Sequence, residues 1–143
     1  MARPGQSAVP IVEEFSSYVF KAANPRHVLV VEDNLDAIHT LVLLLRDMGH
    51  VVDYAINGYV GLDMARRLKP DLVFLDLALP GMNGYEVCKL IKSDEHLQGT
   101  KVVVVTAYSD DEHREKSRRA GCELHLVKPV PIPVLEALLA QEG

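Results

Sequence analysis

The chain has 143 residues, 48% of them apolar and 24% charged, a balance that suits one globular domain around one core and excludes both a disordered tail and a membrane protein. Fifteen basic residues against twenty acidic ones leave a net charge of −5, which argues against nucleic-acid backbone binding as the main activity. Cys88 and Cys122 lack metal-ligand spacing, and Met1 to Pro10 hold no apolar run fit for a signal peptide, so free thiols in a reduced, cytoplasmic setting are expected.

In chain order, Ile11 to Ala23 come first, with Val12, Phe15, Tyr18, Val19 and Ala22 near one helical face, closed by Asn24 and Pro25. This spacing predicts an amphipathic helix in an N-terminal extension, residues 1–26, that either packs on its own domain or serves dimerisation or continues another helix. From His27 to Gly143 short β-branched runs alternate with helical-period stretches, the pattern of a parallel sheet covered on both faces. Five strands are predicted, at His27 to Glu32, Val51 to Ala55, Asp71 to Asp76, Lys101 to Val105 and Glu123 to Val127. A helix follows each. The first is capped by Asn34, carries Ile38, Leu41, Val42, Leu45 and Met48 inward, and stops at Gly49. The second runs from Asn57 to Lys69 with Leu62, Ala65 and Leu68 inward, and the third from Gly84 to Lys92 with Val87, Leu90 and Ile91 inward. In the fourth, Ser109 to Ala120, the spacing of Ser109 and Glu112 predicts a capping box, while Glu112 to Arg119 offer almost nothing apolar. That makes it the expected most mobile helix. The fifth follows Pro129, Pro131 and Pro133 and carries Val134, Leu135, Leu138 and Leu139, part of which is free to reach a partner.

Ligands of an open parallel sheet collect outside the carboxyl ends of its strands. Here those ends carry Glu32 and Asp33, Asp76, Thr106 and Lys128. Three carboxylates in one crevice repel one another unless a cation compensates, and Mg²⁺ suits them, since it prefers oxygen ligands and takes one or two carboxylates with phosphate oxygens. Thr106 can donate to a phosphoryl oxygen and Lys128 can neutralise one, which leaves Asp76 as the nucleophile that forms an aspartyl phosphate.

The segments VLVVEDN at 28–34, DLVFLDLALPGMNGYEV at 71–87, VVVVTAYSD at 102–110 and LVKPV at 126–130 resemble the receiver domain of two-component response regulators, from His27 to about Gln141. The resemblance implies an α/β fold, a doubly wound five-stranded parallel sheet of order 2-1-3-4-5 with helices on both faces. It implies that Asp76 accepts phosphate from a histidine kinase or phosphotransfer protein, that Glu32 and Asp33 hold Mg²⁺ with Asp76 and the backbone carbonyl of Ala78, and that Thr106 and Lys128 contact the phosphoryl group. It also implies a cis Lys128–Pro129 bond. Thr106 and His125 then form the switch, although His125 stands where the family commonly has Tyr or Phe, so the switch is expected to respond to pH. Ala78 and Tyr108 occupy positions that tune hydrolysis of the phosphoryl group; Ala78 has no side chain to orient a water and Tyr108 is placed to cover the site, so a long-lived phosphoryl state is expected.

Two other readings compete. A phosphatase of the haloacid dehalogenase type needs a second Asp two residues after the first, where this chain has Ala78; a receiver-like binding module without phosphorylation has no need of the full charge set. No GxxxxGK[ST] or GxGxxG follows the first strand. The chain as given ends after the fifth helix without an output domain, so action by phosphotransfer or by a changed surface is expected. The candidate surface is the fourth helix, fifth strand and fifth helix, where a homodimer is one candidate contact and the N-terminal helix another.

Overall fold

The first strand shows how the sequence builds two layers around one sheet. In β1 (His27–Val31) Val28 and Val30 point to one face and Leu29 and Val31 to the other, all buried, so each face receives a separate core. The computed structural model describes residues 24–141; the amphipathic helix expected over residues 11–23 lies outside them. Among these residues β2 (Val51–Ala55), β3 (Leu72–Leu75), β4 (Lys101–Thr106) and β5 (Leu124–Val127) join β1 in a parallel sheet of order β2-β1-β3-β4-β5. Each strand end falls within one residue of its expected place.

Among the described residues five α-helices cover the sheet: α1 (Leu35–Asp47), α2 (Gly58–Leu68), α3 (Gly84–Ser93), α4 (Asp111–Ala120) and α5 (Ile132–Ala140). Ile38, Val42 and Leu45 of α1 and Leu135 and Leu139 of α5 pack with Val28, Val30 and Phe74. Leu62 and Ala65 of α2 and Val87, Cys88 and Ile91 of α3 pack with Leu29, Val31 and Leu75. Each fully buried large side chain contributes about 1.5–3 kcal/mol by leaving water. Leu68 is half-buried, and Leu90, expected inward, is exposed; Cys88 takes its place in the core, because Val87, Cys88 and Ile91 sit side by side on the helix at i, i+1 and i+4.

Side-chain caps start four helices. Asn34, Asn57 and Asn83 accept the amide N–H of Ala37, Val60 and Glu86. The expected capping box at Ser109 is not formed: Asp110 caps α4 by accepting the N–H of His113 at 3.2 Å. A carboxylate bonds the helix N-terminus more strongly than a hydroxyl, because it also meets the helix dipole. Pro131 is the N-cap of α5, and Pro133 lies inside its first turn, where a missing N–H costs nothing.

Topology then places the site. Val31 pairs with Leu75, Leu75 with Val104, and Thr106 with Val127, so residues 32, 76, 106 and 128 leave the same edge of the sheet where its winding reverses. Gly84, the first residue of α3, presses on the β3–α3 connection so closely that a Cβ would lie 2.6 Å from the carbonyl oxygen of Asp76. Only glycine permits that approach, and it seats the start of α3 against the backbone of Asp76.

Candidate functional site

Asp76 stands directly after the four buried residues Leu72–Leu75, its backbone N–H donating to Val31 at 3.0 Å. Its side chain is held at both oxygens. Oδ1 accepts the amide N–H of Ala78 at 3.1 Å, and Oδ2 accepts from Lys128 Nζ at 2.9 Å. The Lys128 N–H bonds the carbonyl of Thr106 at 2.8 Å, and the Lys128–Pro129 bond that follows is cis. The same ammonium also donates to Glu32 Oε1. Glu32 is 4% exposed, and its second oxygen accepts the amide N–H groups of Asp33 and Asn34 at 3.0 and 3.4 Å.

Two carboxylates therefore share one ammonium, and their proton affinities diverge. Burial pushes Glu32 above the ordinary carboxylate range, with Asp76 adding to the rise against the pull of Lys128. Burial acts on Asp76 in the same sense, but the hydrogen bonds from Lys128 and from the Ala78 amide outweigh it and hold Asp76 below its ordinary value. For Lys128 burial is likewise outweighed, by the bonds to Glu32 and Asp76, and the ammonium is held above its usual range. At neutral pH the site thus presents an ionised, anchored Asp76 beside a firmly charged lysine.

The three acids do not meet as one cluster. Among the described residues no three carboxylate, histidine or cysteine side chains converge as a metal site. Glu32 turns inward because the half-buried Lys128 ammonium and two loop amides satisfy it there, whereas Asp33 is exposed. The donors left toward solvent are oxygens, the Asp33 carboxylate and the exposed backbone of Ala78 beside Asp76, and their chemistry fits a hard cation such as Mg²⁺.

Thr106 ends β4 with 1% exposure, its Oγ1 accepting the N–H of Tyr108 at 3.4 Å. The Tyr108 ring is partly exposed and stacks on His113 with centroids 4.3 Å apart. His125 is half-buried and held at both ring nitrogens: Nε2 lies 2.7 Å from the carbonyl oxygen of Tyr108, and Nδ1 lies 2.9 Å from Ser117 Oγ. A carbonyl only accepts, so Nε2 carries the proton. The imidazole thereby ties the β4–α4 loop, α4 and β5 together. Sequence reasoning did not reach Ser117; the available signal was a lone small polar residue three before Ala120 on a helix whose other middle residues are charged.

The chain matches the family described as response regulator receiver domain over residues 28–140. It belongs to that family. It is 36% identical over 109 residues to the polar-differentiation response regulator DivK of Brucella anthropi, covering 76% of this chain and 89% of that protein. It is 35% identical over 108 residues to DivK of Brucella ovis, covering 76% and 88% of the two chains. Among solved structures it resembles the chemotaxis protein CheY4 of Vibrio cholerae, with a TM-score of 0.75, 25% identity, and 81% and 97% of the two chains covered. A putative response regulator from Chloroflexus aurantiacus superimposes with a TM-score of 0.76 at 28% identity, covering 81% and 95%. Receiver domains are signalling domains that typically bind Mg²⁺ at their acidic site and interact with histidine kinases or phosphotransfer proteins. No helix among the described residues is long and apolar enough to cross a membrane.

Proposed function

We propose that Asp76 is the phosphoacceptor of a two-component phosphorelay in the cytoplasm, charged by the phosphohistidine of a histidine kinase or phosphotransfer protein. The observation that carries this reading is the ionised Asp76 carboxylate at the end of β3, oriented at one oxygen by Lys128 and at the other by the Ala78 amide. In the transfer an Asp76 oxygen forms the O–P bond as the N–P bond of the donor breaks, and the leaving imidazole takes up a proton. Lys128 stays with the phosphoryl group as its counter-charge, and Thr106 turns its hydroxyl toward a phosphoryl oxygen. Asp33, Asp76 and the Ala78 carbonyl would hold Mg²⁺, with Glu32 behind them, and the ion would neutralise charge on the transferring group.

The phosphorylated state is read out through contacts of this chain. If Thr106 Oγ1 turns to the phosphoryl group, it leaves the Tyr108 amide; Tyr108 carries the carbonyl that holds His125, and His125 holds Ser117 of α4. The surface of α4, β5 and α5 changes as a unit and is offered to a partner or to a second copy. The chain is a signal acceptor whose own chemistry is limited to self-phosphorylation and slow autodephosphorylation, with Ala78 unable to orient a water. Incubation with acetyl phosphate and Mg²⁺ tests the reading by intact mass: the wild type gains one phosphoryl group and Asp76→Asn gains none. Equal labelling of both chains would remove it.

A further inference from the structure

The two cysteines take no part in the phosphoryl site, and they are 34 positions apart in sequence, yet their sulfurs lie 2.6 Å apart. Cys88 is in the middle of α3 and fully buried, in the core that also holds Ala120, the last residue of α4. Its thiol donates to the carbonyl of Ala120 at 3.5 Å. Cys122 follows Gly121, the left-handed cap of α4 (φ 93°), and is half-buried, whereas Cys88 is fully buried. Gly121 makes this placement: a residue at positive φ turns the chain back, and Cys122 N–H bonds the carbonyl of Ser117 at 3.1 Å, directing the Cys122 side chain onto α3.

We propose that Cys88 and Cys122 are a reversible redox site, oxidised by a peroxide to an intramolecular disulfide that staples α3 to the C-terminal end of α4.

The less buried residue of the pair reacts first. Cys122, as thiolate, attacks one oxygen of hydrogen peroxide; the S–O bond forms, the O–O bond breaks, and the departing hydroxide takes a proton to become water. The Cys88 sulfur then attacks the sulfur of the Cys122 sulfenic acid, hydroxide leaves, and the Cys88 proton converts it to a second water. Two thiols and one peroxide give one disulfide and two waters, and a dithiol reverses the change by exchange. The contact with Cys122 and burial both push the Cys88 thiol far above its usual range, so the first attack on the peroxide falls to Cys122. Since the sulfurs are already 2.6 Å apart, little side-chain movement separates them from a bond.

The staple acts on the least anchored helix. Ser117 and Ala120 are the only buried residues of α4, and Ser117 is the partner of His125. A covalent bond two residues beyond Ala120 fixes that end of α4 to the core, so oxidation would restrain the helix that the phosphoryl state moves.

The test is hydrogen peroxide treatment of the reduced chain, followed by intact mass and a non-reducing peptide map. The expected result is a wild type lighter by two hydrogen atoms, with the peptides of Cys88 and Cys122 joined, restored by dithiothreitol. Cys122→Ser is expected to show no loss, and Cys88→Ala to leave a sulfenic acid on Cys122 that dimedone captures. In the oxidised wild type, amide exchange at the C-terminal turn of α4 is expected to slow about tenfold. Two intact thiols after treatment, or overoxidised Cys122 beside an unreacted Cys88, would overturn the proposal; Cys122→Ser, at a half-buried position, keeps the comparison available if Cys88→Ala does not fold.

Discussion

Glu32 and Asp76 compete for the ammonium of Lys128, and the competition sets how the site responds to pH. Folding raises the Glu32 pKa above its ordinary 4.5, so the folded chain holds that proton more tightly than the unfolded one. The contribution of Glu32 to stability is then present at low pH and declines as pH rises through the raised value. Asp76 has the opposite sign: its lowered pKa stabilises the fold above the unfolded value, and the gain is lost as pH falls through the folded one. Glu32→Gln keeps the neutral form while Lys128 retains Asp76, so urea unfolding is expected to show the variant gaining on wild type as pH rises from the ordinary carboxylate value through the raised one. A variant that falls further behind as pH rises would mean that the Lys128 pair outweighs the cost of burying Glu32. The positions of Glu32, Asp33, Asp76, Thr106 and Lys128 were legible in the sequence, because each follows an apolar run that must lie in the sheet. The inward turn of Glu32 was not, since it depends on amides of the following loop and on a lysine 96 residues away.

Among the elements, α4 differs from the other helices in what holds it. It buries only Ser117 and Ala120, and its exposed face is laced by solvent-screened pairs of Glu115 with Arg118 and Arg119, which anchor it little. Hydrogen exchange is therefore expected to be fastest in α4 and slowest in α1 and α3, whose apolar faces are buried; uniform protection across the five helices would contradict this. The bond of His125 to Ser117 joins α4 to β5, beside the longer one from the Arg114 guanidinium to the His125 carbonyl. His125→Phe leaves the Ser117 hydroxyl to its own helix carbonyls and is expected to cost about 1 kcal/mol in urea unfolding. Unchanged stability would show that the bond to Ser117 does not anchor α4. Helix periodicity revealed where α4 lies, and its charged composition revealed how weakly it is anchored. The cap moved from Ser109 to Asp110 because two adjacent polar residues both suit an N-cap, and only the path of the backbone chooses between them.

For the whole molecule, alternation of strand and helix patterns was enough to read a parallel sheet covered on both faces, while the strand order came from the resemblance to receiver domains. The contact between Cys88 and Cys122 was invisible at that level, because it arises where α3 and the end of α4 meet across the layer, and sequence spacing carries no trace of it. The order β2-β1-β3-β4-β5 brings Asp76 to the reversal point between β1 and β3 with Lys128 reaching it from beyond β4. The central claim is that this one carboxylate receives the phosphoryl group. Borohydride trapping measures it most directly: after acetyl phosphate and Mg²⁺, reduction of an aspartyl phosphate leaves homoserine, located by peptide sequencing. Homoserine at position 76, and at no other acidic residue, is the expected result; homoserine at Asp33 or elsewhere, or none at 76 in a chain that has gained phosphate, would contradict it.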